Sequence, residues 1–237
     1  DHEIGRVIDA LNAQPQPPAV LYTTDHGDML QSHCLYAKGP AAYEEICHVP
    51  FLLWGFGQGE VETPVSHIDI APTLWDFFDC GEKPMMLQGE SLLPLLKGEQ
   101  PASRDVFIEF GRYEADHDGF GGFQPMRCIF DGRYKLVLNL LSEDELYDLQ
   151  IDPYEMDNRL EDPLLRTVRD ELLARLLAHM NQVRDPLRGY YWERRPWNTD
   201  ANAATWDYTG FTRQRSEPDY EKSQLDYNTG LVPEELV

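Results

Sequence analysis

The stretch YTTDHGDML (residues 22–30) places an acid, an imidazole and a glycine directly after a strand-like run. That run, residues 19–23, is apolar and β-branched, and Pro15, Pro17 and Pro18 before it disfavour a helix. In open α/β sheets, ligand sites lie just beyond the carboxyl ends of the strands. The sequence therefore predicts a buried strand that ends at a ligand site.

Asp25 and His26 are the first candidate ligands in this stretch. Neighbouring side chains of an extended chain point to opposite faces, so these two converge on one ion only if the chain turns there. Gly27 permits such a turn, and Lys38 adds a positive charge further along. Because a cation beside a lysine forms a site for an anionic oxygen group, we interpret the stretch as a metal and anion site. A turn without a ligand remains the alternative for the Asp-His-Gly triplet taken alone.

The composition is that of a globular protein. The 237 residues, 26% charged and 42% hydrophobic, are enough for one large domain or two small ones. The apolar runs are shorter than the roughly 18 residues of a membrane helix, and no signal-peptide pattern is visible. The formal net charge of −22 disfavours nucleic acid and anionic membrane surfaces as partners. An anionic substrate must therefore be attracted by a local positive site.

The four cysteines give no sign of zinc binding or redox chemistry. Cys34, Cys47, Cys80 and Cys128 show no C-x-x-C spacing, so we predict buried or free thiols. Because disulfide pairing stays open at this point, the cellular compartment stays undetermined.

Residues 24–50 carry a longer pattern, made of Thr24-Asp25-His26-Gly27-Asp28-Met29-Leu30, His33, Leu35, Lys38-Gly39-Pro40, Tyr43-Glu44-Glu45 and Val49-Pro50. This pattern resembles the second metal-binding segment of the sulfatases, the formylglycine-dependent members of the alkaline phosphatase superfamily. The resemblance implies that Asp25 and His26 bind the metal and that Lys38 holds the sulfate oxygens. The implied metal is calcium, with manganese or magnesium as alternatives because imidazole is an unusual calcium ligand.

Three further residues of this segment, His33, Asp28 and Gln31, bear on how its loop is built and what it contacts. The resemblance implies that His33 either contacts the leaving group or hydrogen-bonds the loop. We expect Asp28 to brace the loop as a hydrogen-bond acceptor. Gln31 departs from the glycine that is common at this place in the family.

The rest of the chain predicts an α/β fold in three parts. Residues 1–103 are expected to be the C-terminal part of an alkaline-phosphatase-like α/β sandwich with a mixed sheet. They include a helix at 1–11, a second strand near 49–54 and a helix for which Asp69 is the expected N-cap. Residues 104–188 read as a small antiparallel sheet with a packed long helix, and residues 189–237 as an irregular wrapping tail.

The second part carries two strong local signals and further candidate residues. Asp131-Gly132 predicts a hairpin, and the stripe of residues 164–183 predicts a helix after Asp162-Pro163, with Arg169 among its water-facing residues. His117, Asp118 and Arg127 are candidate substrate contacts, because the resemblance places this glycine-rich region near the active-site mouth. Arg127 is favoured since a guanidinium grips sulfate in bidentate fashion, while a flexible hairpin remains the alternative. We interpret His67 as a packed or surface histidine.

The sequence lacks the nucleophile that the resemblance implies. No cysteine or serine stands in a C/S-x-P-x-R signature, the site that becomes formylglycine. We therefore expect the C-terminal half of a chain of about 450–550 residues, inactive without its N-terminal half. Such an enzyme would hydrolyse a sulfate ester of a sugar or small alcohol. A phosphonate monoester or phosphodiester hydrolase of the same superfamily and an inert binding or structural subunit are the alternatives.

Overall fold

The computed structural model describes residues 2–56, 59–84, 87–99, 104–112, 123–183 and 185–198. Its helices are α1 (His2–Asn12), α2 (Glu44–Cys47), α3 (Ile70–Phe77), α4 (Leu93–Leu96), α5 (Arg166–Gln182) and α6 (Tyr190–Glu193). Its strands are β1 (Val20–Thr23), β2 (Phe51–Trp54), β3 (Val106–Arg112), β4 (Phe123–Phe130), β5 (Tyr134–Asn139) and β6 (Glu145–Asp148). Short 3₁₀ turns lie at Ser32–Cys34 and His67–Asp69.

The first strand pair carries the segment with the candidate ligands. β1 and β2 pair antiparallel, with Val20 opposite Trp54 and Thr23 opposite Phe51. The end of β1 therefore lies beside the start of β2. The predicted strand ahead of Asp25 is present, but its four residues are partly exposed rather than buried. The strand ends just before Asp25, where the sequence predicted.

The second sheet is an antiparallel meander in the order β3-β4-β5-β6. The predicted turn between β4 and β5 is present: Gly132 has a φ of 99°, a left-handed conformation that glycine adopts without strain. The Asp131 carboxylate accepts hydrogen bonds from the backbone N–H groups of Arg133 (3.0 Å) and Tyr134 (2.8 Å). This side chain therefore fixes the turn and with it the register of β4 on β5.

The meander has one face toward α5 and one toward the segment of the candidate ligands. Alternation along the strands places different residues on the two sides. The α5 side forms a core of Ile129, Leu136, Leu138, Leu146, Leu172, Leu173, Leu176, Leu177, Met180 and Trp192, among others. The other side packs Met126, Cys128 and Val137 around Ala42, with Cys47 against them. The sheet is thus the surface on which residues 42–47 rest.

One sequence-based assignment of a polar residue is wrong, and another is refined. Arg169 is buried rather than facing water: it donates a hydrogen bond to Leu160 O (3.1 Å) and lies 4.4 Å from the ring of Trp197. Asp69 occupies the N-cap position of α3 as expected, but its side chain makes no capping hydrogen bond to that helix. Its carboxylate instead accepts the Ser66 N–H (2.8 Å) in a reciprocal capping box that closes the preceding 3₁₀ turn His67–Asp69. The partners of Arg169 and Asp69 depend on tertiary packing and side-chain geometry, which periodicity does not show.

Asp69 also joins segments of the first part to each other and to the start of the second part. Its carboxylate accepts the Glu90 N–H at 2.9 Å and pairs with Arg104 at 2.5 Å. Only 1% of the residue is exposed. A buried carboxylate with these partners is stable because each oxygen is hydrogen-bonded.

Residues 185–198 close over the meander. The Arg195 guanidinium forms two hydrogen bonds of 2.7 Å to the Asp144 carboxylate, and Trp192 is almost fully buried. The remaining tail, residues 199–237, lies outside the described residues. Across the described ranges, no helix is long and apolar enough to span a bilayer.

Glu145 at the start of β6 gives this fold a dependence on pH. Burial raises the pKa of its carboxyl to about 7, and the nearby charge of Glu155 adds to the effect, while hydrogen bonds from Tyr147 and Asn139 oppose it. A carboxyl whose pKa rises on folding stabilises the folded state at low pH. That contribution is lost as the pH rises from about 4.5 through about 7.

We predict that Glu145→Gln gains stability relative to the unmodified chain between pH 4.5 and pH 8. Because the amide does not ionise, the difference in unfolding free energy should grow by about 1–3 kcal/mol across this range. Urea unfolding at several pH values measures it. A difference that does not change with pH would show that Glu145 titrates normally in the folded chain.

Candidate functional site

The turn after β1 is shaped by close contact with α2. The Gly27 N–H donates to Ile46 O at 2.9 Å. A Cβ on Gly27 would lie 1.9 Å from Glu45 O, a distance that no side chain tolerates. Gly27 is therefore required because a backbone carbonyl approaches its Cα, which refines the sequence-based reason that glycine merely permits the turn.

The turn brings Asp25 and His26 together. The Asp25 Oδ2 atom lies 3.3 Å from His26 Nε2. On the other side of the ring, His26 Nδ1 lies 2.8 Å from Gly27 O. Since a carbonyl oxygen only accepts, Nδ1 carries the proton, and Nε2 keeps its lone pair. A backbone carbonyl that fixes the tautomer in this way is typical of histidines that bind metals.

Lys38 completes the group. Its Nζ atom lies 2.6 Å from His26 Nε2, so the ammonium donates to the lone pair on that nitrogen. The Asp25 carboxylate and the Lys38 ammonium thus both lie close to His26 Nε2. These are the three residues that the sequence analysis selected as metal ligands and as the anion-binding group. The ammonium marks a position next to the Asp25 carboxylate where positive charge is stable.

Asp25 is held in its charged form. Partial desolvation raises its pKa, but hydrogen bonds from the His26 N–H (3.0 Å) and the Thr24 hydroxyl (3.2 Å), together with the nearby imidazole, outweigh it. The pKa of Asp25 therefore lies below its ordinary value. A charged carboxylate is the state that a cation needs.

The donor set fits part of a divalent-metal site. Asp25 offers a carboxylate oxygen and His26 an imidazole lone pair, ligand types that manganese and related ions accept. Within the described ranges, no cluster of three or more His, Cys, Asp or Glu residues could hold an ion. The described part of the chain therefore offers two candidate ligands, fewer than a divalent ion takes.

His33 lies against an aromatic ring. Its imidazole stacks on Tyr43 with ring centroids 4.0 Å apart and an angle of 15° between the planes. Its role toward a leaving group stays a prediction. Asp28 behaves as expected, since its carboxylate accepts the Leu30 N–H at 3.0 Å and braces the loop.

The loop between Leu30 and Ala37 has an unusual backbone. Five of its residues are non-glycine residues with positive φ: Leu30, Gln31, His33, Cys34 and Ala37. Gln31 has φ 79° and ψ 2°, a conformation that glycine would adopt more readily. Gln31, which stands where glycine is common in the family, thus adopts the left-handed backbone conformation that favours glycine.

Arg127 lies away from this group, inside the meander. Its guanidinium binds the Asp185 carboxylate at 2.6 and 3.0 Å and donates to the carbonyls of Phe110 and Met126. The predicted bidentate grip exists, but its partner is a carboxylate of the same chain. His117 and Asp118 lie outside the described residues.

Sequence reasoning gave no role to His67, which lies next to the strand end. Its Nε2 atom lies 3.0 Å from the hydroxyl of Thr23, two residues before Asp25. Strand pairing and the position of the 67–69 turn create this contact, so no local pattern in the sequence could have shown it.

Solved structures with a similar fold include a sulfatase and a phosphonate monoester hydrolase. A 2-O GAG sulfatase matches with a TM-score of 0.66 and 28% identity, over 83% of this chain and 45% of that one. The phosphonate monoester hydrolase of Agrobacterium radiobacter matches with a TM-score of 0.61 and 26% identity, over 76% and 39%. These structures confirm the predicted fold class, the α/β sulfatase fold with its small antiparallel sheet and packed helix.

The sequence relatives define the family more closely. Residues 32–182 match the family described as N-sulphoglucosamine sulphohydrolase, C-terminal. The chain is 44% identical over 235 residues to the uncharacterized sulfatase YidJ of Escherichia coli (strain K12), which covers 98% of this chain and 45% of YidJ. It is 31% identical to the choline-sulfatase of Rhizobium meliloti (strain 1021), over 69% of this chain and 31% of that protein. The chain belongs to this sulfatase family and spans less than half the length of these two relatives.

The close contact between Gly27 and α2 can be tested by substitution of Gly27. Gly27→Ala would force a methyl group against Glu45 O, so either the turn or α2 must move. We expect a loss of about 1–3 kcal/mol in unfolding free energy, the usual cost of overpacking. Chemical denaturation measures this loss.

Gly5→Ala is the matched control. Gly5 lies inside α1 with nothing within 4 Å of the added Cβ, so alanine should stabilise the chain by about 0.5–1 kcal/mol. Equal effects of the two substitutions would contradict the close approach at Gly27.

Proposed function

We propose that this chain supplies part of the active site of a metal-dependent sulfatase that hydrolyses sulfate esters. Asp25 and His26 bind the divalent ion, and Lys38 binds the sulfuryl oxygens. The observation that carries the proposal is the convergence on His26 Nε2 of the Asp25 carboxylate at 3.3 Å and the Lys38 ammonium at 2.6 Å. The nucleophile, a formylglycine in the family, belongs to the part of the relatives' length that this chain does not span.

The chemistry of the donors supports a metal at this place. A bound divalent ion polarises the sulfuryl oxygens and stabilises the charge that develops on them. The lone pair of His26 Nε2 serves either Lys38 or a metal, so metal binding releases the ammonium for an anion. Calcium is the ion that the family resemblance favours. The imidazole ligand makes manganese or magnesium the alternatives.

Lys38 supplies the local positive charge that an anionic substrate needs. The whole chain carries a formal charge of −22, so its average field repels anions. At short range, an ammonium beside a metal attracts an anion more strongly than the average field repels it. It also stabilises the transition state of sulfate ester hydrolysis, in which the sulfuryl oxygens carry more negative charge. The substrate is therefore held at this point by its sulfate group.

The organic part of the substrate belongs to a small alcohol or a carbohydrate. Relatives include a choline-sulfatase and a delta 4,5-hexuronate-2-O-sulfatase, the latter 29% identical over 195 residues. The names of these relatives cover both classes of alcohol. His33, in the loop that precedes Lys38, is the side chain that we assign to the leaving-group side.

Phosphonate monoester hydrolysis is the second candidate. The phosphonate monoester hydrolase of Agrobacterium radiobacter shares the fold, and the same pair of a metal and a lysine suits any tetrahedral oxyanion. Rates of the complete protein on an aryl sulfate and on an aryl phosphonate monoester separate the two. The proposal expects a higher kcat/KM for the sulfate. Preference for the phosphonate would establish the second candidate.

We predict that Asp25→Ala abolishes metal-dependent turnover in the complete protein. The substitution removes one of the two ligands that the described residues offer. Loss of turnover together with loss of manganese or calcium binding, measured by calorimetry, is the expected result. Full activity in this variant would place the metal elsewhere.

We predict that Lys38→Ala lowers kcat/KM by an amount equivalent to about 2–4 kcal/mol of transition-state stabilisation. Steady-state kinetics on an aryl sulfate measures the loss. Lys83→Ala is the control, since Lys83 is an exposed lysine that donates to Gly89 O. Near-normal rates in the Lys38 variant would show that the anion binds at another position.

A further inference from the structure

A buried lysine lies on the side of β5 that faces residues 42–47. Lys135 is 1% exposed, and its ammonium donates to Ala42 O (2.9 Å), Glu44 Oε1 (2.6 Å) and Glu155 Oε1 (2.8 Å). All three N–H bonds of the ammonium have acceptors. Burial lowers the pKa of Lys135, but the charges of Glu155 and Glu44 outweigh it and raise the pKa to about 12. The lysine is therefore charged at every physiological pH.

Glu155 binds both the lysine and the backbone of α2. Its second carboxylate oxygen accepts the Glu44 N–H at 2.7 Å, so both oxygens are used, and the residue is 2% exposed. Its backbone has a φ of 53°, a left-handed conformation that disfavours a residue with a side chain. Such a conformation persists where the surrounding structure requires it. Here it brings the carboxylate to Lys135 and Glu44.

Helix α2 contacts both the Lys135–Glu155 cluster and the turn that carries the candidate metal ligands. Glu44 begins α2, and the next two carbonyls of the helix, those of Glu45 and Ile46, contact Gly27. Gly27 in turn accepts the hydrogen bond that orients the His26 ring. A continuous series of contacts thus connects Lys135 on the meander with His26 at the end of β1.

We propose that Lys135 and Glu155 are positioning residues for the Asp25–His26 pair. They hold α2 on the meander, and α2 holds the turn that presents the two ligands. The inference rests on the proposed function, in which this pair binds a divalent ion. Neither positioning residue touches the ion or the substrate.

The test compares two buried glutamates of similar surroundings. Glu155→Gln neutralises a carboxylate that contacts α2. Glu193→Gln neutralises a carboxylate that pairs with Arg188 at 2.6 Å, inside residues 188–193. Both glutamates are buried, so both variants should lose stability for the same reason.

Two readouts distinguish positioning from general stability. The first is the hydrogen exchange rate of the Gly27 amide, and the second is the affinity of the complete protein for Mn²⁺ by titration calorimetry. For Glu155→Gln we expect at least tenfold faster exchange at Gly27 and an affinity loss of about tenfold or more, as for other residues that support metal ligands. For Glu193→Gln we expect a lower melting temperature with both readouts unchanged.

The outcomes that overturn the inference are distinct from failure of the proposed function. Unchanged Gly27 exchange in Glu155→Gln, or equal acceleration in both variants, would show that the cluster acts only on stability. If the complete protein binds no Mn²⁺, the proposed function fails, while the exchange rates still test the positioning. Should Glu155→Gln not fold, Glu44→Gln replaces it, since that side chain is 27% exposed and its loss is milder.

Discussion

The ammonium of Lys135 and its ring of oxygen atoms join the two parts of the structure. A charge buried at this depth is tolerated only when good geometry satisfies every hydrogen bond, and removal of one partner leaves an uncompensated charge. Glu44 comes from the segment of the candidate ligands, Glu155 from the turn after β6, and the lysine from the centre of the meander. Because no one of these segments can move without breaking the cluster, the ion pairs fix the position of α2.

The division of the meander into two faces explains why such a lysine exists. Leu136 and Leu138 point to the core under α5, and Lys135 and Val137 point to the other side. An apolar side chain in place of Lys135 would pack well but would leave the acids of the neighbouring segment without a partner. The cluster holds residues 42–47 in a defined position, and the turn at Gly27 depends on that position.

The sequence predicted the local features well because their causes are local. The strand before Asp25, the turn at Asp131-Gly132 and the meeting of Asp25, His26 and Lys38 all follow from short-range patterns and from the family resemblance. What sequence reasoning missed depends on tertiary partners. Arg127 was assigned to substrate, yet Asp185, distant in sequence, binds its guanidinium. The alternation of β5 could have flagged Lys135, since a lysine on the same face as a buried valine needs buried acids nearby.

The account depends most on the claim that one divalent ion binds both Asp25 and His26. Nuclear magnetic resonance of the chain labelled with ¹⁵N in its seven histidines tests this directly during addition of small amounts of Mn²⁺, whose unpaired electrons broaden nearby signals. The account predicts that the His26 ring signals broaden first, that Nε2 is affected before Nδ1, and that Asp25→Ala removes the effect. Broadening that begins at other histidines and leaves His26 sharp would contradict it.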